Sequence, residues 1–236
     1  MNKTFTIFKR EVLSYFKSPL AYVVISTFLV ITGYIFTTEL LYYKLAYMQS
    51  VFENMVMLLI FFTPILTMGL LTEERKEGID QLLFTSPLGV VEFVMGKFIA
   101  AFSVYLIMLM FTLLYPLILE YFGTPDYGPI IGAYIGLILL GGAFISIGLF
   151  ASSLTQSQVI AGLISFGILI LLWILTYLKG IFSGPISKLI HNIDVFAYFV
   201  DFNKGILDSR GILIYLSFTF VFLFLTTRVI DRRRWS

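Results

Sequence analysis

The 236-residue chain contains no cysteine and one histidine, His191. Without thiols there is no disulfide framework, no thiolate zinc site and no cysteine nucleophile. A lone histidine without a metal-ligand partner at fixed spacing reads as a polar interfacial residue. Charge is scarce as well. Asp, Glu, Lys and Arg make up 13% of the chain and the net charge is +2, which gives no electrostatic basis for a nucleic-acid partner. The G-x-x-x-x-G-K-[ST] loop that cradles nucleotide phosphates is missing. No cofactor is therefore expected in this chain.

What is present is apolar. Hydrophobic residues are 59% and mean hydropathy is +0.96, more than a soluble fold can hide. Six charge-free stretches stand at 20–38, 54–72, 98–119, 130–151, 159–178 and 211–227. Each has about the 17–25 residues that cross a hydrocarbon core as a helix. They are continuous, not alternating, which argues against a β-barrel. The expected fold is all-α: one polytopic membrane domain over 1–236 with six transmembrane helices. The first stretch follows basic residues as in a signal peptide, but it is too long and lacks a cleavage pattern, so it reads as an uncleaved span.

Lys and Arg set the orientation. With both termini in the cytoplasm, the inner segments carry eleven and the outer segments five, in keeping with the positive-inside bias. Lys97 counts here as an inner flanking charge. The expected location is the cell membrane, multi-pass. No Asp, Glu, Lys, Arg or His lies inside the six stretches, where ion-coupled carriers and intramembrane hydrolases usually need one.

Two other segments show helical periodicity. In 1–19, Phe5, Phe8, Val12, Tyr15 and Phe16 recur at helical spacing with Lys9, Arg10 and Lys17 on other faces. This predicts an interfacial amphipathic helix on anionic lipid. In 179–210, Ile186, Leu189, Ile190, Ile193, Phe196, Ala197 and Val200 predict an outer amphipathic re-entrant segment before helix 6. Pro64 is expected to kink the second span. Gly132-x-x-x-Gly136 signals close helix packing, more naturally within the chain than across a dimer seam.

The most informative stretch is 73–88, a charged island between the second and third spans. Glu73, Glu74, Arg75, Lys76 and Glu77 open it and Gly78 breaks the pattern. Ile79, Leu82 and Leu83 then form an apolar side opposite Asp80 and Gln81, and Ser86-Pro87 closes it. It reads as a solvated segment, either a plain loop or a docking element. The string E-E-R-K-E-G-I-D-Q-L-L-F-T-S-P resembles the coupling helix of ABC-2 type transporter permeases. It departs from that pattern at Ile79, usually a small hydroxyl residue, and at Gln81, usually an acid.

Two further strings resemble the gliding-motility-associated subgroup. In F-V-D-F-N-K-G-I-L-D-S-R, Phe199, Phe202, Gly205, Asp208 and Arg210 match its main positions, and Arg233-Arg234-Trp235 is similar to its terminal R-R-W. The resemblance implies a permease subunit of an ATP-driven transporter. ATP and Mg would bind partner ABC ATPase subunits, and a second permease subunit would complete a homo- or heterodimer, possibly one with a large outer domain. ATPase coupling would fall to Glu73, Glu74, Arg75, Lys76, Gly78, Asp80, Leu82, Leu83 and Pro87. The alternative is a membrane scaffold or mechanical anchor that passes ATPase motion to an outer partner without moving a solute. A membrane-embedded enzyme would need paired acids or a Ser/His pair at bilayer depth, and none is visible. The substrate and the direction of movement stay open.

Overall fold

The computed structural model describes residues 3–43, 48–76, 89–178 and 194–234. The described residues form ten helices and no strand: α1 (Lys3–Lys17), α2 (Pro19–Tyr43), α3 (Gln49–Thr67), α4 (Gly69–Lys76), α5 (Val90–Thr112), α6 (Leu114–Phe122), α7 (Tyr127–Leu154), α8 (Gln158–Leu178), α9 (Val195–Asn203) and α10 (Ser209–Arg234). Six runs are long and apolar enough to cross a membrane: α2, α3 with α4, α5 with α6, α7, α8 and α10.

These helices run past the charge-free stretches, taking in Glu39, Glu53 and Lys97. Hydropathy marks the hydrocarbon depth, whereas a helix continues as long as its backbone groups need partners. Two spans are interrupted. The second breaks at Met68, one turn beyond Pro64, while the Met68 amide still donates to the Pro64 carbonyl at 2.9 Å. The third breaks at Leu113. Pro116 has no amide to offer the Thr112 carbonyl, and the Tyr134 hydroxyl donates to that oxygen instead at 2.8 Å.

Helix α7 is the hub, packed against α3, α4, α5, α8, α9 and α10. Its glycines let neighbours approach closely, as small residues do at membrane helix contacts. A Cβ at Gly141 would lie 2.2 Å from the ring of Tyr105, whose hydroxyl donates to the Leu137 carbonyl at 2.6 Å. A Cβ at Gly148 would lie 2.0 Å from Thr67 Oγ1. Gly132 and Gly136 face α9, within the chain. By contrast α8 and α10 are peripheral, with broad apolar faces turned outward.

Residues 194–210 are the described part of 179–210, and α9 makes up most of them. Asp194 caps it, accepting from the amides of Phe196 and Ala197 and from Thr176 Oγ1. The sequence places this segment's apolar face in the outer interface. In the structure Phe196, Phe199 and Phe202 are buried in the chain's own core. Ile186, Leu189, Ile190, His191 and Ile193 lie outside the described residues.

In α1, Lys9, Arg10 and Lys17 are exposed, while Phe8, Val12, Tyr15 and Phe16 are partly buried, Tyr15 and Phe16 against the core. Phe5 is 57% exposed, and the buried side chain is Ile7, with Glu11 beside it on the same face.

Candidate functional site

The interactions that tie α1, α4, α5, α7 and α8 together lie at one end of the bundle, where the 73–88 segment begins. Helix α4 enters it with Leu70, Leu71 and Thr72 buried. Beyond Thr72 the side chains divide. Glu73 and Lys76 are exposed, whereas Glu74 and Arg75 turn inward.

At the centre is Lys97, on the first turns of α5 and only 1% exposed. Its ammonium donates to the Leu70 carbonyl at 2.6 Å and pairs with Glu74 Oε2 at 3.1 Å and Glu11 Oε1 at 3.2 Å. It also lies 5.1 Å from the Phe93 ring centroid, within cation–π range. Arg10 bridges the same two acids, reaching Glu11 at 2.9 Å and also pairing with Glu74. Two acids and two bases thus form a neutral cluster across α1, α4 and α5. A buried ammonium is tolerable when it is both hydrogen-bonded and paired, and Lys97 has one carbonyl acceptor and two carboxylates within ion-pair distance.

The neighbouring contacts fix the frame. Gly96 lets α1 lie directly on α5: a Cβ there would be 2.7 Å from Ile7 Cγ2. The Tyr15 hydroxyl donates to the Leu66 carbonyl at 2.7 Å. Gln158 Nε2 donates to Glu73 Oε1 at 2.7 Å, bringing in the start of α8. Arg75 donates to the Ser153 carbonyl at 3.3 Å, and Arg233 to the Leu154 carbonyl at 3.3 Å. A cleft of about 360 Å³ opens beside the cluster, lined in part by Ser14, Tyr15, Ser18, Ile65, Leu66 and Glu73.

Electrostatics follow the geometry. Burial pushes the Tyr15 phenol up, and the Glu11 and Glu73 charges add to it, so Tyr15 remains a hydrogen-bond donor. Burial works against the Arg10 guanidinium, but Glu11 and Glu74 more than offset it and its pKa is raised.

The structure therefore brings Glu73, Glu74, Arg75 and Lys76 to one place but not to one environment. A fully solvated island is not what α4 presents. Glu74 is only 13% exposed, because Lys97 and Arg10 offer it two cations. Gly78, Asp80, Leu82, Leu83 and Pro87 lie outside the described residues. Sequence reading missed Glu11, Arg10 and Lys97 as a unit. The available signals were Gly96 next to Lys97, and Ile7, Glu11 and Tyr15 spaced by four on α1.

At the opposite end, the Phe199–Arg210 string is architectural. A Cβ at Gly132 would lie 2.4 Å from the Phe202 carbonyl oxygen, and one at Gly136 would lie 3.1 Å from the Phe199 ring. The Phe202 ring fills the space beside Gly211. Gly205 has φ of 81°, which favours glycine. Asp208 accepts from the Arg210 amide at 3.0 Å as α10 starts.

A family model described as ABC-2 family transporter protein matches residues 34–230, well over half of the chain. No curated protein gives a significant match.

Proposed function

The chain belongs to the ABC-2 family of transporter membrane proteins, and on that basis we propose that it is a permease subunit driven by separate ATPase subunits through the 73–88 segment. In this reading two permease subunits enclose a path and two ATPases dock beneath them. The resemblance of Phe199–Arg210 to the gliding-motility-associated subgroup favours a heteromeric assembly with a subunit bearing a large outer domain. Both termini and the 73–88 segment face the cytoplasm of a cell-membrane protein. The exposed Lys9 and Lys17 of α1 lie on anionic lipid.

The observation that carries the reading is the root of the segment. Helix α4 leaves the bundle with Glu73 and Lys76 exposed, while Glu74 and Arg75 are bound to α1, α5 and α7. Such a root offers charge to a partner on one side and transmits rigid-body motion to the spans on the other. Asp80 and Lys76 would add charge complementarity, Leu82 and Leu83 the apolar contact, Gly78 a hinge and Pro87 a stop. ATP and Mg would be held by the partner.

The test is capture of an ATPase by the purified chain. Glu73→Arg, Leu82→Asp and Gly78→Pro should each reduce capture at least about tenfold, since like-charge contacts at a docked surface cost several kcal/mol. Lys204→Glu, exposed at the other end, should leave it intact. Cysteines introduced at Ser86 and Lys204 should label from opposite sides of the membrane. Capture indifferent to all three island variants, or labelling of both cysteines from one side, would refute the reading.

A further inference from the structure

Lys97 is a buried cation that the proposed cycle leaves without a task. Its two carboxylate partners are mounted differently. Glu74 belongs to α4, the root of the 73–88 segment, and Glu11 belongs to α1. Helix α1 lies in close contact with α5 at Gly96, where only a hydrogen fits beside Ile7. A displacement of α4 alone would therefore carry Glu74 away from Lys97 and leave Glu11 beside it.

We infer that Glu11 is a positioning residue that lowers the cost of displacing the 73–88 segment, by holding the charge of Lys97 while Glu74 departs. A buried ammonium stripped of its only counter-ion is strongly unfavourable. With two carboxylates in reach, one can leave and the other remains. Arg10 repeats the arrangement, since it pairs with the same two acids. The departing Glu74 carries a free carboxylate to the surface on which the segment docks. Charge balances throughout: a neutral cluster separates into Glu11 with two cations, and one anion. The inference takes 73–88 as the docking segment and so rests on the reading above.

Two substitutions separate this role from a structural one. Glu11→Gln and Glu74→Gln remove the same charge from the same lysine. If the cluster only held the fold together, both would loosen α4. With Glu11 as the stand-in, they act in opposite directions. Hydrogen exchange of the Glu73–Lys76 amides is measured on the full chain in lipid nanodiscs without any ATPase. Glu74→Gln should speed exchange about tenfold, and Glu11→Gln should slow it about tenfold, each equivalent to about 1.4 kcal/mol.

In a Lys97→Met background, where no charge needs company, Glu11→Gln should no longer slow exchange. Should Glu11→Gln fail to fold, Glu11→Asp draws the carboxylate back while keeping its charge, and it should slow exchange less. Faster or unchanged exchange in the Glu11 variant, or slowing that persists without Lys97, overturns the inference whether or not an ATPase docks. Opposite shifts in a chain that captures no ATPase would uphold the cluster's role and sink the docking reading instead.

Discussion

The two ends of the bundle are held by different physics. Around Lys97 the contacts are charges and donated hydrogen bonds between α1, α4 and α5, next to an open cleft. Around Phe202 they are rings and backbone pressed against glycines of α7 and α10, with a buried tyrosine behind them. Ion pairs tolerate small displacements and can change partners. Close-packed rings lose contact after a fraction of an ångström. The difference suits one end to movement and the other to holding the spans in register.

The sharpest way to break that comparison is to make one substitution at both ends. In Gly132→Ala the new methyl would sit 2.4 Å from the Phe202 carbonyl and 3.1 Å from Gly205 Cα, both backbone atoms that cannot rotate away. The expected loss is about 3 kcal/mol, the upper part of the overpacking range. In Gly96→Ala the methyl meets the Ile7 side chain, 2.7 Å away on a helix at the bundle surface. Here the closest atoms belong to a side chain and the nearest backbone atom, the Thr4 carbonyl oxygen, is 3.2 Å away, so a small local adjustment that keeps α1 on α5 should hold the loss to about 1 kcal/mol. Thermal unfolding in detergent measures both, and equal losses would erase the distinction.

A smaller effect sharpens it. The Tyr215 hydroxyl is fully buried and donates to the Val195 carbonyl at 2.7 Å. Tyr215→Phe removes a buried hydrogen bond and should cost about 1–2 kcal/mol. Tyr15 donates to the Leu66 carbonyl at the same distance but lines the cleft, where water can replace it. Tyr15→Phe should cost about half as much. Arg10→Gln comes next, at about 0.5 kcal/mol or less, because that side chain is 53% exposed and Lys97 keeps both acids paired. The smallest effect is that of salt. Between about 0.1 and 1 M the screening length falls from about 10 to 3 Å. Hydrogen exchange should then rise slightly in α1 and not at all in α9.

Six spans and an all-helical domain could be read from the sequence because an uninterrupted apolar run states its own length. Lys97 could not. It stands one residue before such a run and reads as a flanking loop charge, and only contacts with Glu11 and Glu74, distant along the chain, show it to be interior. Glu11 was hidden for the reverse reason. Periodicity picked out Phe5, Phe8 and Val12 as the side that meets lipid, and it says nothing of which side meets protein, where Ile7 is buried with Glu11 one turn on. The break at Leu113 could be traced to Pro116, but its repair by Tyr134 from another helix could not. The Phe199–Arg210 string was recognisable as a pattern, and its reason, rings against glycines, appears only with α7 and α10 in place.

The order in which the Lys97 contacts occur along the chain bears on how the protein is made. Synthesis runs from the amino terminus, so Glu11, Leu70 and Glu74 leave the ribosome before Lys97 does. When the one fully buried ammonium among the described residues arrives at the membrane boundary, every oxygen it will bond has already been made. The reverse order would leave a bare cation waiting at the edge of the hydrocarbon for partners still to come. Transplanting α1 to the carboxyl terminus would keep each of these contacts geometrically possible while delaying Glu11 until the last span had been inserted.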